Sequence, residues 1–136
     1  MADPESYEIS ALCYAVRTNR KHHENFLGSA WTDPMHDQDE PIAYYVWALK
    51  NANRTVVVDT GFDKAEWSRR TESSGGIWQC EYDLSPAEGL TGIGIDPRQV
   101  QDVIVTHLHY DHAGSLNDFP VARFHLQELE MQYATG

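Results

Sequence analysis

Residues 102 to 114 read DVIVTHLHYDHAG and carry three histidines and an aspartate in the pattern His-x-His-x-Asp-His. Imidazole suits zinc or iron and a carboxylate adds a harder oxygen, so all four are good ligands for a borderline divalent metal. The preceding residues 102–106 are apolar and β-branched, which predicts a buried strand, and residues 113–115 predict a turn. We therefore expect the cluster on a loop at the carboxyl end of a strand, where open α/β sheets place ligands.

The spacing within the cluster predicts how the ligands divide. His107 and His109 are two residues apart, so on extended backbone they point to the same side and can bind one ion. Asp111 and His112 follow where the chain begins to curl and can face a second ion. Metal pairs in hydrolases lie about 3.5–4 Å apart, which so compact a loop can span. We expect two divalent ions, with zinc preferred and iron, cobalt or manganese as alternatives.

The remaining histidines are interpreted as polar surface or satisfied core side chains: His22, His23, His36 and His125. For His22-His23 a solvated loop is preferred over substrate or metal contacts, because adjacent side chains on an extended chain point apart. Residues 25–40 form a long loop, and long loops in compact domains are often functional. Its apolar side chains either line an acyl-binding surface or cover the core: Phe26, Trp31 and Met35.

The rest of the chain predicts one α/β layer, a mixed sheet with helices on one face. Strands are predicted at residues 7–16, 42–49, 55–59, 102–106 and 121–125, the second and third forming a hairpin. Helices are predicted at residues 64–70, from Ser85-Pro86 to residue 90 or 91, and at residues 126–133, with one further turn at Asp96-Pro97. Residues 71–76 are rich in Ser and Gly and predict a mobile linker.

Length and composition limit the classes of function. The 136 residues suit one domain, and the net charge of −11 argues against nucleic acid or an anionic membrane surface as partner. We expect neither a secretory signal nor a membrane span, because no apolar run approaches about 20 residues. The only cysteines, Cys13 and Cys80, are predicted to be buried thiols in a reducing compartment, which favours a cytoplasmic location.

Two stretches carry a resemblance to a known family. Residues 107–114, HLHYDHAG, after an apolar strand resemble the metal motif of the metallo-β-lactamase superfamily. Residues 56–61, VVVDTG, resemble its second signature, and the two occur in the expected order. Within the superfamily the chain looks most like the N-acyl homoserine lactone lactonases, on residues 25–28 (NFLG), 44–47 (YYVW) and 124–127 (FHLQ).

The resemblance implies a fold and a ligand set. The fold would be the amino-terminal half of an αββα sandwich, so that residues 1–136 form one domain that is incomplete at its C-terminus. His107 and His109 match the ligands of the first metal, and Asp111 and His112 those of the second. The family adds a further histidine for each metal and a bridging aspartate, all from the second half.

Asp59 has two interpretations. Asp-Thr-Gly is an ordinary turn at a strand end, where Asp and Gly are common. The resemblance favours a supporting role instead, in which Asp59 accepts the free ring N–H of a metal-bound histidine and fixes its tautomer.

The resemblance further implies a metallohydrolase that opens the lactone of a small substrate by attack of a metal-bridging hydroxide. Such lactonases are quorum-quenching enzymes. Asp111 is the expected catalytic residue, as a metal ligand rather than a general base, because a metal-bound carboxylate is poorly basic. The alternatives within the fold are a thioesterase of the glyoxalase II kind, a β-lactamase and a phosphodiesterase, the last disfavoured by the negative charge.

An alternative of another class is a non-catalytic half-domain, inactive alone because it lacks the remaining ligands. Such a half would expose the sheet face that the second half covers, and a homo-oligomer could cover it instead. The residues predicted on this face are Trp47, Val46, Val57 and Ile104.

Overall fold

The structure is a computed structural model that describes residues 6–136. Within them six strands form one sheet: β1 (Glu8–Arg17), β2 (Ile42–Lys50), β3 (Thr55–Val58), β4 (Cys80–Tyr82), β5 (Asp102–Val105) and β6 (Arg123–Leu126). Their order across the sheet is β4-β1-β2-β3-β5-β6. The β3–β5 and β5–β6 pairs are parallel, whereas β1 pairs antiparallel with β2 and β4, and β2 with β3. The predicted mixed sheet is confirmed.

The described residues also form five short α-helices: α1 (His22–Asn25), α2 (Lys64–Ser73), α3 (Pro86–Gly92), α4 (Tyr110–Ala113) and α5 (Glu128–Thr135). The predicted start of α3 is confirmed. The Ser85 hydroxyl accepts the Glu88 backbone N–H at 3.2 Å, and the Glu88 carboxylate accepts the Ser85 N–H at 2.7 Å. This reciprocal capping box satisfies two N–H groups that the first turn leaves without helical partners.

In the middle of the chain one prediction was wrong and one strand was missed. The helix α2 continues to Ser73, into the segment expected to be a linker, because Asp63 caps its start and Glu66 forms ion pairs with Arg69 and Arg70 along it. The short strand β4 was not predicted, since its three residues carry no apolar alternation.

Strand β2 divides the sheet into a covered and an exposed face. Its residues Tyr44, Val46 and Ala48 are buried, whereas Tyr45 and Trp47 between them are each 43% exposed. This alternation follows from the two-residue period of a strand.

The core lies on the covered face in two adjoining clusters. One joins β3 and β5 to α3 and includes Val57, Val103, Leu90 and Phe119. The other is largely aromatic: Tyr14, Tyr44, Val46, Phe62 and Trp78. The first cluster packs against β3 and β5, the parallel strands that precede the two motifs at residues 59–61 and 107–114. The second cluster includes Phe62, which lies in the loop after β3.

The opposite surface, which we call the open face, is formed by Ile9, Tyr45, Trp47 and Ile104, all more than a third exposed. Trp47 pairs in register with Val58, which pairs with Ile104, so the face is continuous across β2, β3 and β5. The predicted exposure of Trp47 and Ile104 is confirmed.

Two residues predicted on the open face lie elsewhere. Val46 and Val57 are fully buried in the core on the covered side, so this part of the prediction was wrong. The physical reason is parity. In a run of apolar residues such as VVV, one step along the strand moves a side chain from one face to the other.

The cysteine prediction was also wrong for one residue. Cys13 is exposed, because it pairs with Tyr45 and so lies on the open face, whereas Cys80 is half-buried. No disulfide joins them.

The parallel β3 and β5 are neighbours, so their carboxyl ends meet at one edge of the sheet. Residues 59–61 follow β3 and residues 106–112 follow β5 at this edge. The fold therefore brings together two motifs that lie almost fifty residues apart in the sequence.

Candidate metal centre

Backbone hydrogen bonds join the two loops at the edge. The N–H of Asp59 donates to the carbonyl of Ile104 at 2.8 Å, which continues the β3–β5 pairing by one residue. The N–H of Thr60 donates to the carbonyl of His112 at 2.7 Å, and the N–H of Gly114 donates to the carbonyl of Gly61 at 2.8 Å. The two motifs are thus held in fixed register.

The glycines of the two loops are required by close packing. A Cβ on Gly114 would lie 2.4 Å from the carbonyl oxygen of Tyr110 and 2.8 Å from that of Gly61. A Cβ on Gly61 would lie 2.6 Å from the Pro86 ring, and Gly61 also has a φ of +65°. Because side chains rarely tolerate either condition, both loops need glycine here.

The Asp59 side chain forms hydrogen bonds that connect the loop after β3 to the loop after β5. It is 5% exposed and has a φ of 62°, a left-handed conformation that Asp tolerates better than most residues. Its Oδ1 accepts the Thr106 backbone N–H at 2.8 Å, and the Thr106 hydroxyl donates to both carboxylate oxygens at 3.0 and 2.9 Å. His112 Nδ1 lies 2.7 Å from Asp59 Oδ2. Burial alone would raise the pKa of Asp59, but hydrogen bonds from His112 and Thr106 outweigh it and hold that pKa below its usual value.

The four predicted ligands lie together as two pairs of facing atoms. His107 Nε2 is 3.1 Å from His109 Nδ1, and His112 Nε2 is 3.4 Å from Asp111 Oδ2. The pairs adjoin, since the rings of His107 and His112 have centroids 3.9 Å apart. His109 is extended, with ψ 152°, and α4 begins at the next residue, so the chain does curl between the two pairs.

The carboxylates and the imidazole of His112 shift one another's pKa values. Hydrogen bonds to Asp111 and Asp59 raise the pKa of His112 to about 9 against the effect of burial. Burial would raise the pKa of Asp111, but the hydrogen bond from His112 outweighs it and lowers that pKa. The two carboxylates therefore favour positive charge at this edge.

These side chains fit a divalent metal by their chemistry. Three imidazoles and a carboxylate are zinc-type ligands, and bonds of about 2.0–2.2 Å in a tetrahedron place neighbouring ligand atoms about 3.4 Å apart. The facing atoms of each pair are at that spacing. Asp59 contacts the ring nitrogen of His112 that faces away from Asp111, which leaves the other ring nitrogen directed at the Asp111 carboxylate.

Several supporting residues were not identified from the sequence. The Tyr14 hydroxyl donates to the carbonyl of Asp111 at 3.1 Å, and the Arg70 guanidinium lies 3.2 Å from the centroid of the Tyr110 ring. Glu130 of α5 accepts the Leu108 N–H at 3.2 Å. Among the supporting residues, only Thr106 could have been found from the sequence, because it directly precedes the His-x-His pattern. Its hydroxyl lies 3.1 Å from His107 Nδ1.

The other histidines are not part of this cluster. His125 Nε2 lies 2.9 Å from Asp102 at the amino end of β5, as expected for a satisfied polar residue. His22 lies 2.5 Å from Glu40, and His23 stacks on His36, in the segment between β1 and β2. Across residues 6–136, the helices are too short and too polar to cross a bilayer.

Comparisons with known proteins identify relatives of this chain. The family profile described as "Metallo-beta-lactamase superfamily" matches residues 39–131. The N-acyl homoserine lactonase AttM of Rhizobium johnstonii is 36% identical over 103 residues, which cover 72% of this chain and 38% of that protein. AttM of Azorhizobium caulinodans is 45% identical over 45 residues, 33% of this chain and 17% of its own length.

Solved structures share the fold. A quorum-quenching N-acyl homoserine lactone lactonase superposes with a TM-score of 0.70 at 20% identity, covering 100% of this chain and 51% of its own. An N-acyl homoserine lactone hydrolase with N-hexanoyl-L-homoserine at its catalytic metal centre gives 0.70 at 18% identity, covering 96% and 52%. This chain therefore spans about half the length of these structures, and less of the AttM proteins. With its sheet, its paired motifs and the match over residues 39–131, the chain belongs to the metallo-beta-lactamase superfamily.

Proposed function

We propose that this chain carries the amino-terminal half of the metal centre of a hydrolase that opens the ring of a small lactone, of the N-acyl homoserine lactone type. The observation that carries the proposal is the two facing pairs of ligand atoms, held at 3.1 and 3.4 Å beside Asp59. The names of the relatives support lactones among the substrates of this fold.

Each residue of the cluster has a distinct role in the proposal. His107 and His109 would hold one ion and Asp111 and His112 the other, since His107 Nε2 faces His109 Nδ1 and His112 Nε2 faces Asp111 Oδ2. Asp59 holds one proton of His112 on Nδ1, so that a metal ion would displace the proton on Nε2 and bind the lone pair there. Asp111 acts as a ligand and not as a general base, since a metal-bound carboxylate is poorly basic.

When bound, two divalent ions, most simply zinc, would supply a Lewis acid for the ester carbonyl and a water of lowered pKa. The residues of this chain bind and orient. Thr106 and Asp59 fix the ring of His112, and Tyr14 and Arg70 fix the backbone and side chains of α4 from the covered side.

The proposal requires ligands beyond these four. Two protein ligands for each ion are fewer than the three that catalytic zinc sites use. The resemblance assigns a histidine for each ion and a bridging aspartate to a second half. We therefore infer that a further polypeptide segment, or a second copy of the chain, completes the centre.

The test is a chimera in which this chain replaces the half of the quorum-quenching N-acyl homoserine lactone lactonase on which it superposes. We expect the chimera to open N-hexanoyl homoserine lactone, and Asp111→Asn to lower kcat/KM by at least about 100-fold. Asp96→Asn is the matched control, since Asp96 pairs with Arg98 on the surface and should change nothing. A folded, zinc-loaded chimera that cleaves thioesters or β-lactams but no lactone would refute the lactonase assignment.

A further inference from the structure

The segment between β1 and β2 holds a second group of metal-type side chains that the proposed function does not use. Residues 22–23 and residues 36–38, which we call its two arms, pair through their backbones. The His22 N–H donates to the carbonyl of Gln38 at 2.9 Å, and the His23 N–H donates to the carbonyl of His36 at 3.2 Å. This pairing holds His23 against His36 although they are thirteen residues apart. Their proximity is therefore built into the backbone and is not a chance meeting of two long side chains.

Three side chains converge where the arms meet. The imidazoles of His23 and His36 stack with centroids 4.3 Å apart. Asp37 Oδ1 lies 3.8 Å from His23 Nδ1 and 4.0 Å from His36 Nε2. One ligand atom from each of the three lies within 4.8 Å of the other two, and the distances of 3.8 and 4.0 Å exceed the spacing of about 3.4 Å around a tetrahedral ion.

Closing this gap breaks one hydrogen bond, because His23 Nδ1 lies 2.8 Å from the backbone carbonyl oxygen of His36. Asp37 is 89% exposed, so its carboxylate can move freely. One imidazole has to turn out of the stack so that the in-plane lone pairs converge. His36 Nδ1 is buried without a hydrogen-bond partner, so its ring loses no hydrogen bond of that nitrogen on turning.

The charge of the segment favours a cation. Residues 20–40 carry five carboxylates and two cationic side chains. Lys21 pairs with Asp39 at 2.5 Å and His22 with Glu40 at 2.5 Å, whereas Asp37 faces the two histidines. The excess negative charge would lower the cost of bringing a divalent ion to these ligands.

We propose that His23, His36 and Asp37 form a separate site for one borderline divalent cation of the zinc, cobalt or nickel type. Two imidazoles and one carboxylate suit such ions, and three protein ligands leave a position for water. The site shares no residue with the cluster at residues 107–112. It does not rest on the proposed hydrolase function.

The test disables the candidate metal centre at residues 107–112 and measures how much metal the rest of the chain binds. An untagged chain with His109→Ala and Asp111→Asn is titrated with Co²⁺, with bound ion measured by equilibrium dialysis and by visible absorption. We expect one ion per chain, and loss of that ion when His36→Ala is added. Adding His125→Ala is the matched control and should leave the ion bound, because His125 pairs with Asp102.

A second variant guards against a folding artefact. Asp37→Asn alters an exposed carboxylate, so the far-ultraviolet circular dichroism should not change, while the Kd for Co²⁺ should rise at least about tenfold. Binding that is unchanged by both His36→Ala and Asp37→Asn, or absent from the starting variant, would overturn the proposal.

Discussion

Asp59 and its neighbours show how few residues fix the candidate centre. Its carboxylate joins the strand end of β3 to Thr106 and His112. The grouping of the candidate ligands His107, His109, Asp111 and His112 could be predicted because they lie within six residues of one another. The supports Tyr14 and Arg70 could not, because they reach α4 from distant parts of the chain and no sequence period links them.

Gly114→Ala tests the contact between the two loops. The new Cβ would press against backbone oxygens of Tyr110 and Gly61, which cannot move independently. We expect the free energy of unfolding to fall by about 1–3 kcal/mol in urea titrations. Gly92→Ala is the matched control, since nothing lies within 4 Å of its Cβ position, and it should leave stability equal or higher. Equal effects of the two changes would refute the contact.

The two cysteines should differ in reactivity. Burial raises the pKa of Cys80 to about 11, so at pH 8 only about 0.1% of it is the reactive thiolate. In a Cys13→Ser variant, which leaves Cys80 alone, alkylation by iodoacetamide should rise about tenfold per pH unit up to about pH 10. In Cys80→Ser, the exposed Cys13 should react fully at pH 8. A plateau of the Cys80 rate below pH 9 would show that the thiol is not buried as described.

The strands and helices differ in how far the sequence predicts them. β2 and α3 carry strong signals, a run of apolar, aromatic and β-branched residues in one and a capping box in the other. β4 has three residues and forms only because β1 offers its free edge at Ala15, Val16 and Arg17. Such a strand depends on tertiary pairing, and its own residues do not specify it.

Ser85→Ala tests the start of α3. Loss of the hydroxyl removes the acceptor for the Glu88 N–H, and we expect about 1 kcal/mol lower stability by chemical unfolding. Ser85→Asn should recover most of the loss, because its side-chain oxygen can accept the same N–H. No difference between the alanine and asparagine variants would mean that the cap does not stabilise α3.

The whole molecule is asymmetric, with one face of the sheet packed and the other exposed. The exposure of Trp47 and Ile104 follows from register, which pairs Trp47 with Val58 and Val58 with Ile104. The sequence alone predicted an apolar face but assigned Val46 and Val57 to it wrongly. In a strand that is apolar throughout, the even- and odd-numbered side chains are equally suited to the core. Which set is buried depends on the helices and loops that pack on the sheet.

We predict that a homo-oligomer would form through the open face. Large apolar patches mark interfaces, so we expect the chain to self-associate at micromolar concentration and Trp47→Lys to shift it toward the monomer in light scattering after gel filtration. Leu129→Lys, on α5, changes an equally apolar residue that is 73% exposed and should have no effect. A wild-type chain that remains monomeric and melts cooperatively would argue against an interface here.

The central claim is that residues 107–112 bind the metal, and histidine ¹H–¹⁵N NMR during Zn²⁺ titration tests it most directly. It detects weak binding and identifies the nitrogen involved. We predict Zn²⁺-dependent shifts at His107 Nε2, His109 Nδ1 and His112 Nε2, with the proton of His112 Nδ1 retained beside Asp59. His125 should not shift. Unchanged nitrogens in all three histidines at saturating Zn²⁺ would contradict the account.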